Sequence, residues 1–184
     1  MTSAVSSLTI RLLEEGDLEL LAHVFRFSRH HIEGRWRERL AGERTMLVAE
    51  RDGEALGSVS FGEREEFPRL LYLFALAVVE PFQRQGIGSR LVVSVEAEAR
   101  RRGVEGICLA VAVDNEGAIR LYERLGYRRT GEPFISRWTW YGPDGETREI
   151  VERCYRMVRR LGSGGRLIVG KRVGHPRLKA GHQI

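Results

Sequence analysis

Gly86 and Gly88 stand where an apolar run ends and a helical pattern begins, in Val78-Val-Glu-Pro-Phe-Gln-Arg-Gln-Gly-Ile-Gly-Ser-Arg-Leu91. A strand, a glycine-rich loop and a helix start in series make an anion site. The first-turn amides lack intrahelical acceptors, and the helix dipole adds positive potential. Glycine lets a phosphate approach the backbone without a Cβ in the way. The segment lacks the third glycine of a dinucleotide fingerprint and the Gly-Lys-Ser/Thr of a P-loop, so hydride transfer and nucleotide hydrolysis lose support. A second polar set follows about thirty residues on: Asn115 after a strand-like run, then Tyr122 seven residues later. Seven residues are about two helical turns, so the two side chains share a face.

The elements that must position these groups are legible. Leu8–Leu12 reads as a first strand, and Leu18, Leu21, Ala22 and Phe25 have helical spacing, with Asp17 as the expected N-cap. A second helical stretch, interrupted at Gly34, is expected from about Ser28 to Leu40. Thr45–Arg51 and Glu54–Phe61 flank Asp52-Gly53, a hairpin signal. Arg69–Val79 is apolar on both alternating faces, as a strand buried on both sides would be. Ile87, Leu91, Val95 and Ala99 mark a helix to Arg102, with Gly103 at its C-cap and the Glu96–Arg100 and Glu98–Arg102 pairs along it. Gly106–Val113 reads as a strand. The following helix, with Asp114 as its expected N-cap, carries Ala118, Leu121, Tyr122 and Leu125 and stops at Gly126. Phe134–Tyr141 and Glu149–Arg159 read as two long strands about Gly142-Pro-Asp-Gly145. The order β, α, α, several β, α, β, α, β, β implies a mixed α/β sheet with helices on both faces.

Two motifs carry a family resemblance. Gln83-x-x-Gly86-x-Gly88 and Asn115-x-x-Ala118-x-x-Leu121-Tyr122-x-x-x-Gly126-Tyr127 resemble, in order and spacing, the coenzyme A motifs of the GNAT superfamily of N-acetyltransferases. The resemblance is specific over Arg69–Tyr127. It implies a twisted, largely antiparallel mixed sheet of about seven strands, acetyl-CoA as co-substrate, and transfer of acetyl to an amine by direct attack. Gln83, Arg84, Gln85, Gly86, Ile87, Gly88 and Ser89 match the segment that holds the pyrophosphate. Asn115 matches a contact to the pantetheine amides. Leu76 and Val78 match backbone groups that bind pantetheine where the central strand splays, one of them polarising the thioester carbonyl. Tyr122 matches the phenol that stabilises or protonates the leaving thiolate.

The amine must lose a proton before attack. Many relatives use a glutamate on the central strand, yet Leu70–Val79 contains no carboxylate. Glu63, Glu65 and Glu66, Glu33, or a water relay are the alternatives. Phe25, Phe27, His30, His31, Glu33 and Trp36 fall in the region that walls the acceptor site in such proteins. His30 and His31 point about 100° apart on a helix and no third ligand is evident, so no metal is expected. The run Trp138-Thr-Trp-Tyr141 is expected to pack a sheet or a dimer contact. Cys108 and Cys154 read as buried free thiols, which fits a reducing cytoplasm.

Charge divides the chain. The net +5 belongs to Arg166, Lys171, Arg172, Arg177 and Lys179, because residues 1–161 carry 25 cations and 25 anions. Residues 1–161 are therefore expected to be the acetyltransferase domain and 162–184 a flexible basic, glycine-rich tail. The tail lacks aromatic interleaving, so nucleic acid is not the expected partner. No apolar run approaches the roughly 20 residues of a membrane span, and no secretory signal pattern opens the chain. The expected substrate is a small-molecule or peptide amine, with a homodimer through the C-terminal strands as a further expectation. Two rival readings are an acetyl-CoA-binding module without catalysis and a tail that binds an acidic partner.

Overall fold

The computed structural model describes residues 7–25, 28–142 and 144–162, without the side chains of residues 20 and 23–25. Phe27, the side chain of Phe25 and the tail from residue 163 thus lie outside the described residues. Seven strands form one sheet: β1 (Thr9–Leu12), β2 (Arg44–Arg51), β3 (Glu54–Glu63), β4 (Leu70–Val78), β5 (Gly106–Ala112), β6 (Arg128–Tyr141) and β7 (Thr147–Arg160). Their order is β1-β2-β3-β4-β5-β7-β6, and β4–β5 is parallel while every other pair is antiparallel. Among the described residues four α-helices accompany them: α1 (Leu18–Phe25), α2 (Arg29–Leu40), α3 (Ile87–Arg102) and α4 (Glu116–Arg124).

Strand alternation sorts the apolar residues between two cores. Leu47, Ala49, Leu56, Val59 and Phe61 face one side with Leu71, Leu73, Ile107 and Leu109, against Leu91, Val95 and Ala99 of α3 and Ile119 of α4. Met46, Val48 and Ala55 face the other side, against Leu21 of α1 and Ile32 of α2. Gly57 brings α3 close to the sheet: a Cβ there would lie 3.0 Å from the Ala77 carbonyl and 3.1 Å from Leu91. Asp52 and Gly53, at φ 55° and 79°, supply the two left-handed residues of a tight hairpin turn.

Several local expectations are corrected. Asp17 does not cap α1 through its carboxylate, which turns back to Arg11 at 2.7 Å and to the Glu14 amide at 2.8 Å. Two charge-assisted contacts outcompete one cap bond. Gly34 does not interrupt α2, which runs unbroken from its Ser28 cap. Asn115, not Asp114, caps α4, its Oδ1 accepting the Ala118 amide at 3.0 Å. β6 begins at Arg128 rather than Phe134, because a register shift between Thr130 and Phe134 absorbs Gly131 and Pro133. β4 is buried on both faces only in its first half; Phe74 to Val78 are half-buried or exposed.

Candidate active site

That change of burial along β4 marks the site. β4 pairs with β5 only from Leu70 to Leu73, opposite Gly106 to Leu109. Beyond that point β3 stays on β4 up to Val78, and β7 stays on β5 up to Ala112. The two central strands therefore diverge, and their facing backbone edges lose their mutual partners. A bulge coincides with the divergence. Ser58 pairs with Ala77 and Ser60 with Phe74, so β4 carries one extra residue there, and Ala75 adopts φ 50°. A left-handed non-glycine residue is costly, and such positions concentrate at functional sites.

On one face the divergence is bordered by the glycine loop. Gly86, at φ 83°, is the N-cap of α3 and offers no side chain to cap it. The amides of Ile87, Gly88 and Ser89 form the first turn and have no intrahelical acceptors. Arg84 adds a second left-handed residue at φ 59°. The loop is braced by its own glutamines: Gln83 Nε2 donates to the Val78 carbonyl at 3.0 Å, and Gln85 Nε2 to the Pro81 carbonyl at 3.2 Å. A Cβ on Gly86 would meet nothing within 4 Å, whereas one on Gly88 would lie 3.6 Å from Leu121, 3.8 Å from Val78 and 4.0 Å from Leu76. Gly88 is thus where α3, β4 and α4 converge. Ile87 is buried in the core, and Ser89 lines a shallow groove beside Ile10 and Arg90.

Tyr122 follows Leu121 on α4 and belongs to the same buried core as Ile87. It is 5% exposed and meets Tyr127 edge-on at 5.6 Å between ring centroids. Burial, then the nearby Tyr72 hydroxyl, pushes its phenol pKa above the ordinary value, so the proton stays on at neutral pH. Tyr122 does not line the open cleft; Tyr72 does. Asn115 spends its carbonyl oxygen on the α4 cap, which leaves its Nδ2 group for any further contact.

The opposite face opens into a cleft of about 780 Å³. Its floor is Tyr72 and Phe74 to Ala77 of β4 with Leu109, Ala110 and Ala112 of β5; α2 supplies His31 and Arg35. The far wall is formed by β6 from Phe134 to Tyr141 and by Glu152, Cys154 and Arg156 of β7. Alternation along β7 puts these last three on one face. Of the residues expected near an acceptor, His31 is in the lining, stacked on Tyr141 at 5.3 Å between centroids. Burial, with Arg35 adding to it, lowers the His31 pKa to about 4. His30 is exposed, Glu33 pairs with Arg29 at 2.9 Å, and Trp36 packs against the core beneath α2. Among Glu63, Glu65 and Glu66, only Glu66 reaches the lining.

Sequence reasoning missed Glu152, whose carboxylate accepts Trp138 Nε1 at 3.0 Å, and missed the guanidiniums of Arg35, Arg64 and Arg156. The signal was the alternation Glu152, Cys154, Arg156 beside Phe134, Ser136, Trp138, Trp140, which pairs polar groups with an aromatic face. Trp138, Trp140 and Tyr141 thus wall the cleft. Both cysteines are buried free thiols, and burial pushes the Cys108 thiol up to about 11, so it is no nucleophile at neutral pH.

Comparison with known proteins places this arrangement in a family. The model of the acetyltransferase (GNAT) family matches residues 15–127, which include the glycine loop and α4. The chain belongs to the GNAT acetyltransferase family. It is 33% identical to N-acetyltransferase 8 of Mus musculus over 96 residues, which are 50% of this chain and 42% of that protein. The chain therefore spans less than half the length of that curated relative. The ribosomal-protein-S18-alanine N-acetyltransferase from Escherichia coli superposes with a TM-score of 0.64 at 26% identity, over 86% of this chain and 97% of that one. Spermidine N-acetyltransferase from Vibrio cholerae, solved with CoA and spermine, shares the fold with a TM-score of 0.65 at 20% identity, over 83% and 95%.

Proposed function

We propose that this chain is an acetyl-CoA-dependent N-acetyltransferase that moves the acetyl group to a primary amine by direct attack within a ternary complex. The divergence of β4 from β5 carries the reading. It is an opening through the sheet that joins an uncapped helix N-terminus on one face to a cleft on the other. Acetyl-CoA supplies an activated thioester. The first-turn amides of α3 and the left-handed Arg84 and Gly86 suit its pyrophosphate. The unpaired edge of β4 from Phe74 to Val78 suits an extended amide-bearing arm, as an added strand would. Leu76 and Val78 contribute backbone there.

Tyr122 keeps its proton at neutral pH and donates it toward the departing thiolate. Glu66 and Glu152 are the carboxylates in the cleft lining and the candidates to accept the proton of the amine. Proximity does most of the work: amine and thioester meet at Ala75–Leu76 from opposite faces of one sheet.

The test has two parts. Acetyl-CoA is titrated into the full chain by calorimetry, and thiol release is then followed with a panel of primary amines. Micromolar binding with amine-dependent release is expected. Binding without release from any amine would favour an acetyl-CoA-binding module. Tyr122→Phe should lower kcat by about 100-fold and leave acetyl-CoA binding unchanged. An unchanged kcat would remove Tyr122 from the chemistry.

A further inference from the structure

The cleft is aromatic and cationic at once. Arg64 lies with its guanidinium carbon 3.8 Å from the Tyr72 ring centroid. Arg156 sits 5.0 Å from the Phe67 centroid and 5.1 Å from that of Phe134. Two other lining arginines are already matched: Arg35 by Glu38 at 2.9 Å and Arg137 by Glu149 at 3.7 Å. Neither Arg64 nor Arg156 has a carboxylate within 4.0 Å among the described residues. Arg156 Nε is buried and has no hydrogen-bond acceptor among them. A buried donor left unpaired is costly, and a guanidinium beside aromatic rings finds no acceptor in them as strong as a carboxylate.

Position sharpens this. Arg156 pairs in register with Ala110, the first β5 residue beyond the β4 contact, so it stands one strand from the divergence. Both cations bear on the same two groups, the Tyr72 hydroxyl and the Cys108 thiol, so they face one region of the cleft. A cleft of about 780 Å³ is of small-molecule size.

We propose that the acceptor carries a carboxylate close to its amine and an apolar body, as a large apolar α-amino acid does, and that Arg64 and Arg156 hold that carboxylate. The inference rests on the N-acetyltransferase reading for the amine, while the anion site itself stands on the geometry above. The aromatic walls take the apolar body. A polyamine would bring a second ammonium against two unmatched guanidiniums and is disfavoured by like charge.

The test separates the anion site from the chemistry. The full chain is titrated with 3-phenylpropanoate and with its neutral amide, 3-phenylpropanamide. The acid should bind about tenfold tighter or better, as a charge-assisted bidentate contact would give. Arg156→Gln and Arg64→Gln should each weaken the acid by about tenfold and leave the amide unchanged, with Arg156→Lys falling between. The amide serves as the internal check that each variant is folded. In turnover, L-phenylalanine should be preferred to phenethylamine. Equal binding of acid and amide, binding of neither, or an equal loss of both in the variants would overturn the proposal. Loss of acetyl-CoA binding in a folded chain would instead overturn the donor side of the proposed function, and the acid–amide difference would still read the anion site.

Discussion

Replacing Gly86 separates the cost of a backbone conformation from the cost of blocking a phosphate. Gly86 has φ 83° and nothing within 4 Å of an added Cβ. Gly86→Ala therefore meets no clash, and its penalty is that of a left-handed L-residue, about 1–2 kcal/mol. In a chain of this size that lowers Tm by roughly 2–8 °C. Gly86→Glu carries the same backbone penalty, so its Tm should match that of the alanine variant. It differs by a carboxylate at the mouth of the uncapped α3 N-terminus. At about 7 Å from a pyrophosphate and an effective dielectric near 40, each anionic charge of the ligand is repelled by about 1 kcal/mol, or about 2 kcal/mol for two charges. Acetyl-CoA affinity should thus fall about 30-fold relative to Gly86→Ala at low salt. Raising the salt should narrow the gap by screening. The assay is calorimetry on both variants at two ionic strengths, with thermal melts alongside. Equal acetyl-CoA affinity in Gly86→Glu and Gly86→Ala would refute pyrophosphate binding at this helix start.

Other expectations follow from single contacts. Asn115→Asp keeps an oxygen for the Ala118 amide and adds favourable charge at a helix start, so its Tm should hold, while Asn115→Ala should lose about 1 kcal/mol; if Nδ2 also holds the pantetheine arm, both variants should bind acetyl-CoA more weakly, and a normal affinity in Asn115→Asp would limit the residue to capping. Glu96 is 2% exposed and accepts Arg159 Nη1 at 2.5 Å, tying α3 to β7; Glu96→Ala strands that cation and should cost about 3 kcal/mol, or roughly 6–12 °C in Tm, with Glu96→Gln losing less. Thermal melts decide it, and a change below about 2 °C would show the pair to be dispensable. His31 has a folded pKa of about 4 against 6.5 for the free side chain, so the unfolded chain binds the extra proton; its contribution is complete above about pH 6.5 and is lost as pH falls toward 4. His31→Gln should flatten the fall of Tm across that window, and an unaltered slope would place the acid sensitivity elsewhere.

What could be read from the residues divides along physical lines. α3 is legible to the residue, from Ile87 to Arg102, because a four-residue apolar repeat, an uncapped glycine start and a left-handed Gly103 all act locally. The Asp52-Gly53 hairpin is legible for the same reason. Competition between nearby partners was not. Asp17 and Asn115 each had several bonds open to them, and the fold chose Arg11 for one and the α4 cap for the other. The glycine loop before α3 was legible because its shape is set locally, by the left-handed Gly86 at the helix start. Glu66, Glu152, Arg64 and Arg156 were not legible, because their shared location depends on two segments far apart in the chain, the β3–β4 loop and β7, meeting across the sheet.

The far wall of the cleft shows why. β6 and β7 follow the last helix in sequence, yet β7 inserts beside β5 and β6 takes the edge. That order puts Arg156 next to Ala110 and Cys154 next to Ala112, on the strand that has just parted from β4. Glycine makes the close pairing possible at its start, since a Cβ on Gly106 would collide with the Arg159 carbonyl. Further along, the same β5–β7 pairing continues while β4 turns away through its bulge at Ala75. Holding β5 on β7 while β4 stays on β3 is sufficient to open the sheet between them. The glycine-loop face is then set by residues within one local segment, which a motif can record. The cleft face is set by side chains from α2, the β3–β4 loop, β4, β5, β6 and β7. It is free to change its chemistry while the opening stays the same, and in this chain it carries two guanidiniums with no carboxylate partner among the described residues.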